Sequence, residues 1–312
     1  MAPHNDIEAA AQALREGRLV AFPTETVYGL GADATNGEAV ARVYAAKGRP
    51  SFNPLIAHVP DPQAAFALGE FSPEARALAQ AFWPGPLSLV VPRASDCPVS
   101  LLASSGLDSI AIRVPSHLVA LDLLKATGRP VVAPSANPSG KISPTTAEHV
   151  RRHLKGKLAM VLDGGRCTVG VESTVVSFLD DGPKLLRHGG VPKAEIEKVL
   201  GHAIAVESHS ARPQSPGQLL SHYAPRAELR LNADAPREGE AYLGFGRLHA
   251  HGPWTLSATG DLVEAAASLF RLLHEIDATG VARIAVAPIP HHGLGEAIND
   301  RLLRAAAPRD AR

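Results

Sequence analysis

Short apolar runs alternate with amphipathic segments along the first 200 residues of the chain. Short apolar runs between prolines, glycines or polar turns are typical of buried strands, whereas apolar positions three or four apart are typical of helices. The pattern predicts strands at residues 19–22, 55–59, 87–91, 110–114, 130–133, 160–162, 174–178 and 184–187. It predicts helices at residues 6–16, 62–68, 72–82, 116–126, 145–154 and 192–200, and a further helix that begins after the N-cap Asn36.

A second alternation follows an irregular polar stretch, residues 207–216, with the sequence ESHSARPQSP. Strands are predicted at residues 228–231, 241–245 and 283–287, and helices at residues 261–278 and 294–306. Strands that alternate with helices of this length favour a small open α/β sheet. The chain is therefore predicted to have two domains, residues 1–206 and 226–312, joined by a linker at residues 207–225.

Composition excludes several classes of protein. Hydrophobic residues make up 45% of the 312 positions, enough for substantial cores. Lysine and arginine (31) balance aspartate and glutamate (31), which disfavours a dedicated nucleic-acid binder. Cys97 and Cys167 are too few and too far apart for a zinc knuckle; they are predicted to be reduced thiols, with a disulfide as the alternative. No stretch has the pattern of a signal peptide or the apolar length of a membrane helix, so the predicted location is cytoplasmic, without a membrane partner.

Two cations one residue apart, Lys47 and Arg49, follow the helix that Asn36 begins. One interpretation is a solvated helix end, where cations complement the helix dipole. The alternative is a phosphate site, because charged lysine and arginine side chains bind anions well and are rarely buried in a hydrophobic core.

Polar loops follow two of the predicted strands. Residues 23–31, PTETVYGLG, are predicted to form a hydroxyl-bearing turn closed by two glycines. Its hydroxyls could seat a small polar molecule or only satisfy the turn. Ser135 and Asn137 lie in a proline-bracketed loop after residues 130–133, which is either an ordinary turn or a ligand site at a strand end.

One cation stands inside an apolar strand. Arg113 interrupts the run at residues 110–114. A buried cation is rarely left unpaired, so its partner is a carboxylate of the protein or of a ligand.

Two other patterns are less informative. His149 and His153 lie four residues apart on a predicted helix, but no acidic base lies between them, which disfavours a metalloprotease-type metal site. A basic strip could contact a nucleic-acid backbone, although such strips are more often solvated faces. The strip contains Arg151, Arg152, Lys155 and Lys157.

Taken together, the motifs closely resemble those of the YrdC-like L-threonylcarbamoyladenylate synthases. The matching motifs are residues 23–31, Lys47-Gly48-Arg49 with Asn53-Pro54-Leu55, and Pro134-Ser135-Ala136-Asn137. Ser215-Pro216-Gly217 and His222-Tyr223-Ala224-Pro225, with the α/β tail, resemble the longer, two-domain branch of that family.

The resemblance implies a fold and a reaction. The fold would be a mixed, twisted sheet flanked by helices, followed by a smaller, open, Rossmann-like α/β domain. The reaction would join L-threonine, bicarbonate or CO2, and ATP into threonylcarbamoyl-AMP, with pyrophosphate released. A downstream enzyme would then transfer the threonylcarbamoyl group to adenosine in tRNA, and tRNA itself is a candidate partner.

The resemblance also implies roles for individual residues. Lys47 and Arg49 would be catalytic. ATP would be bound by Lys47, Arg49, Asn53, Ser109, Ser135, Asn137, Ser143, Arg187, His222 and Tyr223. Threonine would be bound by Thr26, His58, Arg113 and Ser173. No metal site made of protein ligands is implied, because Mg²⁺ would arrive with the phosphates of ATP.

The chain departs from the family pattern at three places. His188 stands where proline is usual, Ser109 where threonine is common, and residues 218–221 where the family is more basic and aromatic. Two alternatives stay open. One is a carbamoyl-adenylating relative. Such relatives carry cysteine-rich zinc modules, which the two scattered cysteines of this chain cannot form. The other is a non-enzymatic RNA-binding module, suggested only by the basic strip.

Overall fold

The computed structural model describes residues 4–179, 182–207, 222–250 and 252–308. Within these ranges a large mixed sheet has the strand order β10-β9-β8-β4-β5-β3-β6-β2-β1-β7, with both parallel and antiparallel neighbours. The strands are β1 (Val20–Phe22), β2 (Gly29–Asp33), β3 (Ile56–His58), β4 (Leu87–Pro92), β5 (Ser109–Arg113), β6 (Val131–Val132), β7 (Met160–Val161), β8 (Thr174–Ser177), β9 (Lys184–Arg187) and β10 (Ala205–Val206). The predicted mixed α/β fold is confirmed.

Seven helices cover this sheet within the described residues. They are α1 (His4–Arg15), α2 (Gly37–Lys47), α3 (Pro62–Phe66), α4 (Pro73–Phe82), α5 (Leu118–Thr127), α6 (Ala147–His153) and α7 (Lys193–Leu200). Because side chains alternate along a strand, β1 contributes to two cores. Val20 and Phe22 pack with α1 and α5, whereas Ala21 belongs to the larger core that contains α2 and α4.

The predicted turn at residues 23–31 is wrong at its end, because Gly29 and Gly31 lie in β2, which pairs antiparallel with β1. The glycines are needed for close packing. A Cβ on Gly31 would lie 2.8 Å from the ring of Phe22 and 3.0 Å from the carbonyl oxygen of Val20. β10 was also not predicted, because its two exposed residues have no distinctive pattern.

The C-terminal unit is a smaller open α/β layer, as predicted. Its strands β11 (Glu228–Arg230), β12 (Glu240–Leu243) and β13 (Arg283–Val286) are parallel in the order β11-β13-β12. Its helices are α8 (Leu262–Ala278) and α9 (Leu294–Ala306). Most of the predicted linker, residues 208–221, lies outside the described residues. The domain boundaries therefore stay a prediction.

The two units share a core. Val27, Ile142 and Val171 of the first unit pack into the same apolar cluster as α8 and α9. At Gly170 a Cβ would lie 2.4 Å from the carbonyl oxygen of Ala266 in α8, so the absence of a side chain allows this close approach. None of the described helices combines the length and apolar character that a membrane crossing requires. Both cysteines are buried free thiols.

Candidate active site

Lys47 is the last residue of α2. The helix begins at the N-cap Asn36, whose side chain accepts hydrogen bonds from two backbone N–H groups, and ends at Gly48 in the left-handed conformation (φ 59°). Lys47 is only 4% exposed and Arg49 only 8%. The interpretation of this segment as a solvated helix end is therefore wrong. The Lys47 Nζ donates hydrogen bonds to the carbonyl oxygens of Ser135 and Asn137, at 2.5 Å each, and so joins the two motifs.

Arg49 is held by the loop that follows it. Its Nε donates to the carbonyl oxygen of Asn53 at 3.2 Å, and its Nη2 to that of Pro54 at 3.0 Å. β3 and β5 pair in parallel from Ile56 with Ala111 to His58 with Arg113. Ser109 begins β5 and Arg113 ends it, so they lie about 13 Å apart. Ser109 thus lies at the opposite end of β5 from Arg113.

The loop with Ser135 and Asn137 is partly an ordinary turn. The Asn137 Nδ2 donates to the carbonyl oxygens of Pro138 (3.0 Å) and Lys141 (2.8 Å), which satisfies the amide donors locally. The Oδ1 atoms of Asn137 and Asn53, however, are buried without a hydrogen-bond partner. Buried polar atoms are nearly always paired, so these two acceptors mark the place where a donor from a ligand would fit.

Arg113 finds its carboxylate within the protein. Its Nη2 donates to the Oε1 of Glu25 at 2.6 Å, and its Nη1 to the Thr26 hydroxyl at 2.9 Å. Its Nε lies 3.3 Å from the carbonyl oxygen of Gly85. These bonds use three of the five N–H groups of the guanidinium and fix its orientation, which leaves two donors for a ligand.

Ser173 and Arg187 form the opposite wall. The Arg187 Nε and Nη2 donate to the carbonyl oxygen of Ser173 at 3.0 and 2.9 Å, and Nη2 also contacts the Ser173 hydroxyl at 3.0 Å. That hydroxyl lies 2.8 Å from the Ser88 hydroxyl. The close approach depends on Gly189, where a Cβ would lie 2.3 Å from the backbone of Ser173.

Two charged residues, one in this wall and one behind it, were not predicted from the sequence. Glu172 accepts a hydrogen bond from the Ser143 hydroxyl at 2.5 Å, and its other oxygen accepts one from the Nε of Arg301 at 2.8 Å. Glu172 directly precedes the predicted Ser173, which was a local signal. The signal for Arg301 was its place on the buried face of α9, four residues after Ala297 and four before Ala305.

Eight of the predicted residues line a small cavity of about 40 Å³. Its lining includes Thr26, Val27, Ile56, His58, Arg113, Ala133, Pro134, Ser135, Glu172, Ser173, Arg187, His222 and Tyr223. All four predicted threonine residues are among them. Of the predicted ATP residues, Ser135, Arg187, His222 and Tyr223 line this cavity, whereas Lys47, Arg49, Asn53, Ser109, Asn137 and Ser143 do not. Lys47 and Asn137 lie directly behind Ser135, and Ser143 behind Glu172.

The site has a surplus of positive charge. Five buried cations, Lys47, Arg49, Arg113, Arg187 and Arg301, outnumber three carboxylates: the buried Glu25 and Glu172, and the partly buried Asp300 that pairs with Arg301. Burial, with a contribution from Arg49, holds the pKa of Lys47 well below its ordinary value, and burial lowers that of Arg49 to about 10. Such an environment favours an anionic ligand, which would neutralise the surplus.

The histidines of the site are neutral. Burial and the charge of Arg113 lower the pKa of His58 to about 3. Burial and the charges of Arg49 and Lys47 hold the pKa of His222 well below its ordinary value. The Nδ1 of His222 is buried without a partner. Glu172 stays ionised, because the charges of Arg301 and Arg187 outweigh its burial and lower its pKa.

The fold and the site together define a two-domain α/β protein with a buried, cation-lined pocket. Comparison with known proteins identifies the family. Residues 12–189 match the Sua5/YciO/YrdC family model, described as telomere recombination. Residues 191–307 match the model of the threonylcarbamoyl-AMP synthase C-terminal domain. The chain belongs to the threonylcarbamoyl-AMP synthase family, in its two-domain form.

Relatives extend over nearly the whole chain. The threonylcarbamoyl-AMP synthases of Pyrococcus abyssi and Bacillus subtilis are each 42% identical, over 97% of this chain and 94% and 93% of theirs. The crystal structure of P. abyssi Sua5 complexed with L-threonine superposes with a TM-score of 0.89 at 40% identity, and covers 97% of this chain and 95% of that one.

Proposed function

We propose that this chain synthesises threonylcarbamoyl-AMP and pyrophosphate from L-threonine, bicarbonate or CO2, and ATP. The observation that supports this most is the joining of Lys47, Ser135 and Asn137 in one buried cationic site, beside the cavity that Arg113 and Ser173 line. A triphosphate would neutralise the surplus charge. The unpartnered Oδ1 atoms of Asn53 and Asn137 would accept hydrogen bonds from the nucleotide.

Threonine occupies the cavity in this proposal. The two remaining N–H groups of Arg113 bind its carboxylate, since an arginine fork matches a carboxylate in geometry. Thr26 and Ser173 supply hydroxyl partners, and His58 stays uncharged beside the amine. Glu25 holds Arg113 in place and is a positioning residue. The complex of P. abyssi Sua5 with L-threonine supports an amino-acid site in this fold.

The reaction is a nucleotidyl transfer. The amine of threonine takes up CO2 to form a carbamate, and a carbamate oxygen then attacks the α-phosphorus of ATP, with pyrophosphate as the leaving group. Such a step depends on position and on neutralisation of charge more than on a covalent nucleophile. Lys47 and Arg49 supply the fixed charge at the phosphates, with Arg187 at the boundary between the two substrates.

His222 and Tyr223 cover the site. The present cavity of about 40 Å³ holds a few water molecules, whereas ligand pockets usually measure ~300–1,000 Å³. These two residues therefore move when the substrates enter, and then exclude water from the carbamate and the mixed anhydride.

Magnesium enters with ATP in this proposal. Among the described residues there is no group of three or more His, Cys, Asp or Glu that could hold a metal ion, and Mg²⁺ on nucleotides commonly keeps phosphate and water ligands. A cytoplasmic location, contact with tRNA and transfer of the product by a downstream enzyme stay predictions. A carbamoyl-adenylating relative is disfavoured, because the C-terminal domain is of the threonylcarbamoyl-AMP synthase type.

Mass spectrometry tests the proposal. The purified chain is incubated with MgATP, L-threonine and ¹³C-bicarbonate, with each component omitted in turn. The expected product is threonylcarbamoyl-AMP with the ¹³C label, formed together with pyrophosphate only in the complete mixture. Pyrophosphate release that does not depend on threonine, or an AMP product without the label, would refute the proposed reaction.

A further inference from the structure

Arg301, on α9 of the small domain, reaches the wall of the active site. Its side chain has no solvent exposure. Its Nε donates to the Oε2 of Glu172 at 2.8 Å, and its Nη1 to Asp300 at 2.6 Å. The third nitrogen, Nη2, is buried and has no hydrogen-bond partner. Packing between domains does not explain an unpaired N–H on a buried cation, since an apolar residue would fill the space at lower cost.

Glu172 connects Arg301 to the predicted ATP residues. It lines the cavity, and its Oε1 accepts the hydrogen bond from Ser143. Arg301 of α9, Arg187 of β9, Lys47 of α2 and the phenol of Tyr223 are the charged and titratable groups that face this carboxylate. A change in the position of Arg301 would therefore affect Ser143, Arg187 and Lys47 through the carboxylate of Glu172.

Arg301 also contacts the residues that cover the cavity. Its guanidinium carbon lies 5.2 Å from the centre of the Tyr223 ring, within the range of a cation–π contact. The Tyr223 ring also lies 5.5 Å from that of Phe270 in α8. The backbone N–H of His222 donates to the carbonyl oxygen of Arg304, one turn further along α9. The two helices of the small domain thus hold the end of the linker over the pocket.

We propose that Arg301 is a positioning residue of the active site, which orients Glu172 and Tyr223 so that the small domain completes the ATP site of the large one. The inference rests on the proposed function. Arg301 does not line the cavity, so it acts through its two partners, Glu172 and Tyr223, which do. Its loss leaves Glu172 with a changed position and with one neutralising cation fewer.

Arg301→Met and Arg301→Lys test the proposal, with Arg283→Met as the control. Arg283 is an exposed arginine of the same domain, in a loose pair with Glu228. Pyrophosphate release that requires threonine and bicarbonate is measured for all variants. For Arg301→Met we expect the KM for ATP to rise ~10-fold or more. Arg301→Lys keeps the charge but cannot reach both partners, so we expect a smaller rise in the KM for ATP.

The pH profile separates positioning from a general loss of stability. Without Arg301 the pKa of Glu172 rises, so the acid limb of kcat/KM should move to higher pH in Arg301→Met. Glu172→Gln should remove that limb, and adding Arg301→Met to it should then produce no further shift. A merely structural arginine would lower activity without moving the limb.

Each outcome is decisive. A wild-type chain without threonine-dependent pyrophosphate release refutes the proposed function. An active wild type with both Arg301 variants unchanged in ATP KM and pH profile overturns the positioning role alone. If thermal unfolding shows that Arg301→Met is not folded, Arg301→Lys decides: a raised ATP KM supports the proposal, and wild-type kinetics overturns it.

Discussion

Lys47→Met is the sharpest perturbation of the proposed phosphate site. The side chain is 4% exposed, and its Nζ holds the carbonyl oxygens of Ser135 and Asn137 at 2.5 Å. Methionine has a similar length and fills the same space, but it has neither the charge nor the N–H donors. The substitution therefore removes the ammonium and leaves the volume of the site nearly unchanged.

Two magnitudes follow from these contacts. A hydrogen bond from a charged donor contributes ~1.5–3 kcal/mol, so a contact of ~3 kcal/mol made to phosphate in the transition state corresponds to a loss of ~100-fold or more in kcat/KM. For folding, two carbonyl groups lose their donor, at ~1–3 kcal/mol each. Removal of the ammonium also removes the cost of burying its charge, which opposes this loss. We therefore expect the free energy of unfolding to change by no more than ~3 kcal/mol and the Tm by less than ~10 °C.

The same lysine predicts proton uptake. In the free protein burial and Arg49 hold the Lys47 pKa well below its ordinary value. An adjacent triphosphate favours the ammonium form and raises that pKa. Between the two pKa values ATP binding therefore takes up a proton, and the affinity for ATP falls as the pH rises through this window.

Kinetics and calorimetry check both predictions. Threonine-dependent pyrophosphate release gives kcat/KM, and titration of ATP in buffers of different ionisation enthalpy gives the protons bound. Lys125→Met, an exposed lysine in the last turn of α5, is the matched control. Wild-type turnover by Lys47→Met, or proton uptake that the substitution does not diminish, would refute the role assigned to this ammonium.

The remaining predictions concern other parts of the molecule. Arg113→Ala should raise the KM for threonine far more than the KM for ATP. It should also destabilise the fold by ~3–5 kcal/mol, because the carboxylate of Glu25 is left buried without its ion-pair partner. Equal losses for both substrates would indicate that the ion pair is only structural. Gly31→Ala should cost ~1–3 kcal/mol in urea unfolding, because its Cβ would lie 2.8 Å from Phe22, whereas Gly37→Ala in the first turn of α2 should be neutral or stabilising. The stacked rings of His149 and His274, 3.9 Å apart between the two units, should make stability fall as the pH drops from about 6.5 towards 4. Burial lowers their pKa values to about 4 and about 2, so the unfolded chain binds more protons, and a flat stability profile between pH 7 and 5 would contradict this.

Much of the architecture could be predicted locally. Helix α2 follows from the apolar spacing of Val40 and Val43, with Asn36 at its start and Gly48 at its end. Such capping and periodicity depend only on neighbours within a few residues. Strand β2 was missed for the same reason, because GLGAD has neither alternation nor β-branched residues. It is a strand only because Phe22 and Ala133 pack against its glycines.

The candidate site could be predicted in its chemistry but not in its pairing. Lys47, Arg49, Ser135 and Asn137 stood out as residue types suited to phosphate, yet each motif also had an ordinary structural interpretation. Burial decided against the solvated helix end for Lys47 and Arg49. The structure also showed that the carboxylate paired with Arg113 is one of the protein, that of Glu25.

By itself, the sequence determined the order of the helices and of every strand except β2 and β10, the two α/β units and the types of side chain available for an anionic substrate. Periodicity, capping and turn chemistry are local properties, and they can be read from adjacent residues. Only the tertiary structure decided that Arg301 meets Glu172, 129 residues away, and that Lys47 reaches the loop of Asn137, 90 residues away. These contacts form because the sheet and the shared core bring distant segments together. The hydrophobic effect that drives this packing is non-directional, so the pattern of apolar residues does not show which distant side chains will meet.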